Sequence, residues 1–497
     1  MMRKLLFHLL LLMVCSGIQS SWAINEDFLR KKVEYHLMAY EFDLADDYIR
    51  QLSHKGDRQF YQVHIPLYKF LGTLDPVYSD TFRTQWSETL AAVKELSEYK
   101  EQLFLAELHG KRAVIEFLEQ NYLNAIRHAK NCYGFIQKYQ KRYPESVESL
   151  KFMGLFNILL GNVPRRYQWL AKLLGYPGDL TLGVEQLEEA AAKSTLLQIE
   201  AQLVLCQVEK SMLDKPLDAL DRLYAAKQKF NGNILIDYQL ASGLMRLKRN
   251  DEAMVILSKV DQYKNDRVFY IPFWDFLLGK SYYYRNDYGN AQRHLALFVR
   301  DYKGKLMRTD AYFRLGMSLT LNNRYQMGQT FFQLIAAEQH GGFDEDEYAE
   351  YMAKKFATTP PDPISLSLFR ARNYFDGGYY RKAKAVLSQL GLLLPPQSPF
   401  RTEMYYRQAR IFHSEGALSQ AIEAYEQCIQ HTGIEENKWL QAYASYFLGE
   451  IAHEQARKED AEVYYKAALK YDEFFYQAGL ENRTKAALAD LKSTSDE

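Results

Sequence analysis

One spacing recurs along the C-terminal half of the chain: a small residue, a second small residue twelve positions later, and a large residue four positions after that. It occurs six times, in the sets Ala241, Ala253, Leu257; Gly279, Ala291, Leu295; Gly316, Gly328, Phe332; Ala371, Ala383, Leu387; Ala409, Ala421, Tyr425; and Gly449, Ala461, Tyr465. Two antiparallel helices cross closely only where both carry a small side chain, and a large residue one turn further on fills the space beside the crossing. The spacing therefore predicts an all-α fold of stacked helix hairpins.

The distance between successive hairpins is regular except at one place. The first small residues lie 38, 37, 55, 38 and 40 positions apart, so the step from Gly316 to Ala371 is the long one. The excess falls in 338–363, which contains two adjacent glycines, an acidic cluster and two adjacent prolines. Glycine and proline interrupt helices. We therefore predict a loop insertion at 338–363, with room for a short helix.

The pattern resembles the tetratricopeptide repeat, which has small residues at its eighth and twentieth positions, aromatic residues near its eleventh and seventeenth and a large residue at its twenty-fourth. Tyr282, Tyr374 and Phe412 match the eleventh position, and Tyr288, Tyr325 and Tyr380 match the seventeenth. The resemblance covers 233–475 and implies a right-handed α-solenoid of about ten antiparallel helix hairpins. Residues 476–497 are then expected to form a capping helix and tail.

The N-terminal region, 24–232, is also helical in pattern but diverges from the repeat, and it contains an insertion at 162–182. The order of features around this insertion is similar to exported tetratricopeptide proteins of Bacteroidota and, more distantly, to the tetratricopeptide-39 family. That resemblance implies an interaction scaffold and supplies no catalytic residues. Arg165, Arg166, Tyr167 and Trp169 lie at the exposed end of a short amphipathic segment. The segment is either a lid or docking helix, or a packing element that plugs the inner curve.

The first 23 residues have the features of a secretion signal. Arg3 and Lys4 precede an apolar run of ten residues, and the small residues Ser21 and Ala23 predict cleavage after Ala23. The run is too short to span a bilayer, which takes about 20 apolar residues. Val14 stands where a lipobox requires a smaller residue, which disfavours lipidation of Cys15. We expect an exported protein of the periplasm or cell envelope.

The inner surface of the predicted repeats is the expected binding groove. The residues that follow the first small positions include Lys280, Arg372 and Arg410, and the next exposed turn supplies Tyr283, Tyr284, Phe375, His413 and His453. A basic stripe with aromatic walls suits an extended acidic peptide or a C-terminal carboxylate. The same residues are also compatible with a solvated face. The sequence does not decide whether the groove is open or plugged by 162–182.

Several function classes lack support in the sequence. Lys plus Arg equals Asp plus Glu, 62 each, which is unlike the basic footprint of a nucleic-acid binder. No nucleotide-binding, hydrolase or metalloprotease motif occurs, the histidines are scattered, and Cys132, Cys206 and Cys428 are far apart. No later segment is apolar enough for a membrane span. We therefore expect no enzyme activity, no metal and no cofactor.

Two functions remain. The first is a protein–protein interaction scaffold or adaptor of the cell envelope, with a protein or peptide partner. The alternative is a glycan-binding accessory protein of an outer-membrane uptake system, because 38 tyrosines could supply rings for stacking on sugars.

Overall fold

The computed structural model describes residues 26–161, 178–213, 215–337, 344–431, 438–474 and 476–493. Within these ranges every regular element is a helix, which confirms the all-α fold class. The signal segment 1–23 and the insertion residues Arg165, Arg166, Tyr167 and Trp169 lie outside the described residues. None of the described helices is both long enough and apolar enough to cross a membrane.

The chain divides into two compact units, and the first comprises residues up to Leu247 together with Val255–Trp274 and Tyr302–Gly304. Its helices are α1 (26–38), α2 (Phe42–Gln51), α3 (Lys55–Thr73), α4 (Pro76–Val93), α5 (Glu98–Leu118), α6 (Tyr122–Arg142), α7 (Leu150–Gly161), α8 (Leu180–Lys193), α9 (Gln198–Ser211), α10 (Pro216–Lys229), α11 (Ile234–Arg246), the end of α12 (Asn250–Leu257) and α13 (Val260–Tyr263). This unit extends past residue 233, where we placed the start of the regular repeats.

The second unit comprises Lys248–Met254, Asp275–Asp301 and Lys305–Glu497. Its helices are α14 (Phe273–Tyr284), α15 (Tyr288–Asp301), α16 (Arg308–Leu321), α17 (Tyr325–Ala337), α18 (Asp344–Thr358), α19 (Pro363–Asp376), α20 (Tyr380–Leu393), α21 (Phe400–Ser414), α22 (Leu418–Gln430), α23 (Trp439–Glu454), α24 (Lys458–Ala468) and α25 (Gln477–Ser493). Within each unit most helices pack on the next one along the chain, which is the arrangement of an α-solenoid built from tetratricopeptide-like hairpins.

The recurring spacing produces close helix crossings. A Cβ atom placed on Gly279 of α14 would lie 2.6 Å from Cγ of Leu295 on α15. A Cβ atom on Gly328 of α17 would lie 2.4 Å from the carbonyl oxygen of Gly316 on α16. Real Cβ atoms do not approach other atoms this closely, so an alanine at either position would force the neighbouring atoms to shift. The large residue of each set, such as Phe332, is buried beside the crossing.

Residues 344–358 of the expected loop insertion form a full helix, α18, which is longer than the short helix anticipated there. It packs against both α16 and α17. The hydroxyl of Tyr325 donates to the carbonyl of Phe356 at 2.9 Å, and Gln329 donates to the carbonyl of Ala357 at 2.8 Å. The acidic residues of this segment have a structural role too, because the buried Asp346 accepts from the backbone N–H of Asp310 at 2.9 Å.

The first unit contains a buried cluster of charged residues between α5, α7 and α9. Lys151 forms ion pairs with Glu107 and Glu200, and Lys111 also pairs with Glu200. Buried charges are costly unless they are paired in this way. Glu107 and Lys111 are one turn apart on α5, but nothing in the local sequence indicates that they meet Lys151 and Glu200, which come from two other hairpins.

The last described helix, α25, falls within residues 476–497, the segment that we expected to form a capping helix and tail. Its Leu480 and Thr484 are buried, and it packs against α23 and α24. The Thr484 hydroxyl donates to the carbonyl of Leu480 at 2.7 Å, which satisfies it inside the helix.

Candidate functional site

The sequence-predicted groove residues lie on the first helices of successive hairpins in the second unit. Lys280, Tyr283 and Tyr284 lie on α14, Arg372 and Phe375 on α19, Arg410 and His413 on α21, and His453 on α23. Among these helices, α19 packs against α21 and α21 packs against α23, so residues far apart in sequence lie on neighbouring helices.

The expected aromatic wall of the groove is buried, which corrects our prediction that it is exposed. Tyr283, Tyr284 and Phe375 are 3%, 8% and 7% exposed. The guanidinium of Arg314, on α16, lies 5.4 Å from the ring centre of Tyr283 and 5.9 Å from that of Tyr284. The rings fill the space between neighbouring first helices, so they form part of the core and leave no open aromatic wall at these positions.

Arg314 is a site residue that the sequence did not indicate. Its Nε donates to Asp310 at 2.7 Å. Burial alone would lower the pKa of this guanidinium, but Asp310 and the neighbouring tyrosines hold the pKa above its ordinary value. Arg314 is therefore a permanent positive charge inside a largely aromatic environment, and cations bind favourably to aromatic faces.

Arg372 is partly covered by the additional helix α18, and its side chain remains 25% exposed. Its Nη1 donates to the hydroxyl of Tyr348 at 2.9 Å, and its guanidinium lies 4.9 Å from the centre of that ring. The Nε of Arg372 also lies 3.7 Å from Asp376. Burial lowers the pKa of Arg372, whereas Tyr348 and Asp376 raise it, and the net direction is upward. A small cavity of about 50 Å³ lies between Arg372, Arg314 and Tyr348.

Arg410 and Phe375 meet a residue that we did not predict, Lys248. The Nζ of Lys248 lies 3.8 Å from the ring centre of Phe375 and 3.9 Å from Asp376. The guanidinium of Arg410 lies 5.7 Å from the same ring and 3.7 Å from the ring of Phe447. We call Lys248, Arg372 and Arg410 the cation cluster.

The charges within the cation cluster influence one another. The pKa of Lys248 is lowered to about 8, chiefly by burial, with Asp376 raising it and Arg410 and Arg372 lowering it. A lysine pKa that responds to both arginines shows that the three cations share one electrostatic environment. The sequence does not indicate that Lys248 belongs to the site, because its contacts are with residues more than 120 positions later.

The other predicted residues have separate partners. Lys280 lies 5.8 Å from the ring of Tyr284. The Nδ1 of His413 lies 3.3 Å from the hydroxyl of Tyr425, and burial followed by the charge of Arg410 lowers the pKa of His413 to about 4. His453 lies 3.6 Å from Asp490. The structure thus brings Arg372, Phe375 and Arg410 together, while Lys280 and His453 lie outside the cation cluster.

A second concave feature, which we call the aromatic cleft, was missed entirely by sequence reasoning. It has a volume of about 270 Å³ and is formed by α18, the turn that follows it, α19, α21 and the start of α23. Its lining consists of Tyr348, Tyr351, Met352, Lys355, Phe356, Thr359, Pro360, Pro361, Asp362, Ser365, Phe369, Phe400, Glu403, Arg407 and Trp439. Tyr351, Phe400 and Trp439 are half-buried, so part of each ring is accessible.

Across the ranges that the structure covers, no group of three or more His, Cys, Asp or Glu side chains could hold a metal ion. Cys132, Cys206 and Cys428 are buried, and burial raises the pKa of the Cys206 thiol to about 12. A thiol with a raised pKa is a poor nucleophile at neutral pH.

Comparison with known proteins agrees with the repeat pattern. The tetratricopeptide repeat family model matches residues 402–430 and 442–475, which contain α21–α22 and α23–α24. No curated protein matches the chain. Among solved structures, the chain is similar to the APC/C hetero-tetramer Cut9-Hcn1, with 12% identity, a TM-score of 0.30 and coverage of 96% of this chain and 92% of that one.

A second similar structure is the human IFIT1 dimer with PPP-AAAA. It shares 13% identity and a TM-score of 0.29, and the match covers 90% of this chain and 94% of that one. The two matched segments and the helix pairs that they contain show that the chain carries tetratricopeptide repeats at 402–430 and 442–475.

Proposed function

We propose that the protein is a non-catalytic interaction scaffold or adaptor of the cell envelope, and that it binds an acidic peptide or protein segment at the cation cluster. Tetratricopeptide repeats typically present their inner helices to protein partners. The observation that carries the proposal is the convergence of Lys248, Arg372 and Arg410 around the ring of Phe375.

The charge balance of the cluster favours an anionic ligand. In the part of the chain that the structure describes, Asp376 is the carboxylate within ion-pair distance of both Lys248 and Arg372. Arg410 interacts with Glu450 at longer range. Three cations share these two carboxylates, so one positive charge is left for a ligand. A guanidinium has five N–H donors and can bind an additional carboxylate while keeping an existing partner.

Not every part of the surface supports an acidic partner. Arg314 is paired with Asp310, and Arg407 is paired with Glu403. Neither arginine belongs to the basic stripe expected from the sequence, and each is already neutralised by its carboxylate partner. The proposed acidic contact is therefore confined to the cation cluster, where Arg372 and Arg410 would bind the carboxylate.

The envelope location rests on the leader segment, in which Arg3 and Lys4 precede an apolar run that ends before Ala23. Expression with the native leader followed by mass spectrometry of the purified protein tests it. A mature chain that begins at Ile24 supports export, and a chain that retains the leader in the cytosol contradicts it.

Charge reversal tests the binding site. The tagged protein is purified from its native host beside the double variant Arg372→Glu/Arg410→Glu. The matched control is Arg300→Glu/Arg457→Glu, since these arginines are 67% and 42% exposed and lie in the same unit. We expect the cluster variant to lose its stoichiometric protein partners and the control to keep them. Unchanged partners in a folded cluster variant would contradict the proposal.

Glycan binding is the second candidate, and the aromatic cleft is the observation that favours it. Half-buried rings such as Trp439 and Tyr351 can stack on sugars, and neighbouring polar side chains can bond to hydroxyl groups. Titration calorimetry with neutral oligosaccharides separates the candidates. Saturable binding that is unaffected by reversal of the cation cluster would favour the glycan function.

A further inference from the structure

The backbone of Lys248 is held in place by its own turn, which joins α11 to α12. Asn250 of this turn is 1% exposed and bonds twice to Ser281 of α14. Its Nδ2 donates to the Ser281 carbonyl at 3.1 Å, and its Oδ1 accepts from the Ser281 hydroxyl at 2.8 Å. The same Nδ2 donates to the hydroxyl of Tyr379, beside the start of α20, at 3.0 Å. These bonds position Lys248 whether or not a ligand is bound.

The side chain of Lys248 is placed by one aromatic ring and one carboxylate. Its Nζ lies 3.8 Å from the centre of the Phe375 ring and 3.9 Å from Oδ1 of Asp376. The other oxygen of that carboxylate, Oδ2, lies 3.7 Å from Nε of Arg372. Both N–O distances are longer than those of hydrogen bonds. The carboxylate of Asp376 therefore lies between two cations that compete for it.

The result of this competition determines what Arg372 can bind. Nη1 of Arg372 donates to the hydroxyl of Tyr348 at 2.9 Å, and a guanidinium has five N–H donors in all. If Asp376 moved towards Arg372, it would occupy further donors and place a negative charge where an acidic ligand has to bind. An ammonium group on the other side of Asp376 offsets that charge and opposes the movement.

We propose that Lys248 is a positioning residue of the cation cluster: its ammonium group retains Asp376, which leaves Arg372 and Arg410 to bind the acidic ligand. This inference rests on the acidic-ligand function proposed above and adds the residue that controls it. Lys248 acts through Asp376 and makes no contact with the ligand, which distinguishes it from a third binding cation. Loss of the positive charge on Lys248 then allows Asp376 to pair with Arg372, and binding weakens.

The charge of Lys248 can be removed by raising the pH. The pKa of Lys248 is lowered to about 8, chiefly by burial, while Asp376 of α19 raises it and Arg410 of α21 and Arg372 of α19 lower it. The other charged or titratable groups of its turn and of the adjoining one have separate contacts: Arg249 with Glu252, and Asp251 with the hydroxyl of Tyr379. Lys248 is therefore mostly protonated at pH 7 and mostly neutral at pH 9.5, so affinity for an acidic ligand should decrease across this interval.

Fluorescence anisotropy with a hexa-aspartate peptide measures this decrease. The peptide has a rhodamine at its N-terminus and an amide at its C-terminus, and its side chains stay ionised from pH 7 to 9.5. We expect the wild type to bind about fivefold more weakly at pH 9.5 than at pH 7, the size of one partly screened charge interaction. Lys248→Arg should show no such decrease, because a guanidinium stays protonated throughout. The comparison also removes the effect of other groups that titrate in this range, such as Lys210.

Substitutions at pH 7 separate positioning from direct contact. Lys248→Met should weaken binding about fivefold. Adding Asp376→Asn to that variant should restore the affinity, because no carboxylate is left to be retained. The matched control Lys466→Met removes a 62% exposed lysine of the same unit and should have no effect. Thermal unfolding establishes that each variant is folded, and the pH profiles of the wild type and Lys248→Arg keep the test decisive if Lys248→Met is unstable.

The proposal is wrong if the wild type binds equally well at both pH values, or if folded Lys248→Met binds as tightly as the wild type. It is also wrong if Asp376→Asn fails to restore binding, since Lys248 would then contact the ligand itself. When any of these results accompanies loss of binding in Arg372→Glu/Arg410→Glu, the acidic-ligand site stands and only the role of Lys248 is refuted. If the wild type does not bind the peptide at pH 7, the acidic-ligand function fails and this inference fails with it.

Discussion

The crossing of α16 and α17 allows a sharp test of why the repeat requires small residues. A methyl group on Gly328 would lie 2.4 Å from the carbonyl oxygen of Gly316 and 2.6 Å from Oγ1 of Thr320, whereas ordinary contacts begin at about 3.4 Å. The helices must therefore separate by about 1 Å, because the nearest atom belongs to the backbone. Overpacking of this kind costs about 1–3 kcal/mol. Replacement of a helical glycine by alanine also stabilises the helix by about 1 kcal/mol, which offsets part of this cost.

We therefore expect Gly328→Ala to lower the free energy of unfolding by up to about 2 kcal/mol. For a unit of this size the loss corresponds to a decrease of up to roughly 8 °C in melting temperature, measured by differential scanning calorimetry. The matched control is Gly391→Ala in α20, where the added methyl would meet only Sδ of Met404 at 3.8 Å. The control should be neutral or stabilise by up to about 1 kcal/mol.

The two substitutions are chemically identical and differ only in their surroundings. If Gly328→Ala is as stable as Gly391→Ala, the close crossing does not restrict the residue at this position. Our explanation of the small–small–large spacing would then be refuted for this hairpin, because propensity alone would account for both results.

Two further predictions concern a histidine pair and two turns. Nδ1 of His109 lies 2.8 Å from Nδ1 of His128, and burial, then nearby positive charge, lowers the pKa of each to about 4. The unfolded chain binds these protons near pH 6.5, so stability is complete above that pH and decreases as pH falls towards 4. Each histidine accounts for up to about 2 kcal/mol of the stability lost between pH 7 and 5, so the double variant to Phe should lose up to about 4 kcal/mol less stability than the wild type over this range. An equal loss would contradict this. Gly378 and Gly416 both have positive φ, but a Cβ on Gly378 would also lie 2.0 Å from the carbonyl oxygen of Lys248. In urea unfolding, Gly416→Ala should cost about 1–2 kcal/mol and Gly378→Ala clearly more, and similar losses would show that the contact is unimportant.

The all-α class and the hairpins of the C-terminal half follow from local sequence. Small residues at a fixed spacing can be recognised because a helix crossing depends on side-chain size at two nearby positions. The burial of Ala371, Ala383 and Leu387 at 1%, 0% and 0% agrees with this pattern. Arg372 and Arg410 occupy equivalent positions in neighbouring hairpins, and both act on the pKa of Lys248.

The remaining features of the site depend on contacts between distant segments. The prediction that Tyr283, Tyr284 and Phe375 are exposed was wrong, because the packing of α16 and Lys248 against them cannot be inferred from helical periodicity. Periodicity identifies which residues share a helix face, but not what covers that face. The cleft was missed for a related reason, since 338–363 has the glycines, prolines and acidic residues of a loop although 344–358 forms α18.

The sequence by itself determined the hairpin, because each small–small–large set acts within about 20 residues and its effect is steric. Only the tertiary structure decided how the faces of those hairpins are used. Lys248 reaches Phe375 and Asp376, and Tyr348 covers Arg372, through contacts that no local pattern encodes. Burial and charge pairing arise from the assembled surface, so the chemistry of the cation cluster and of the aromatic cleft appears only when distant helices are packed together.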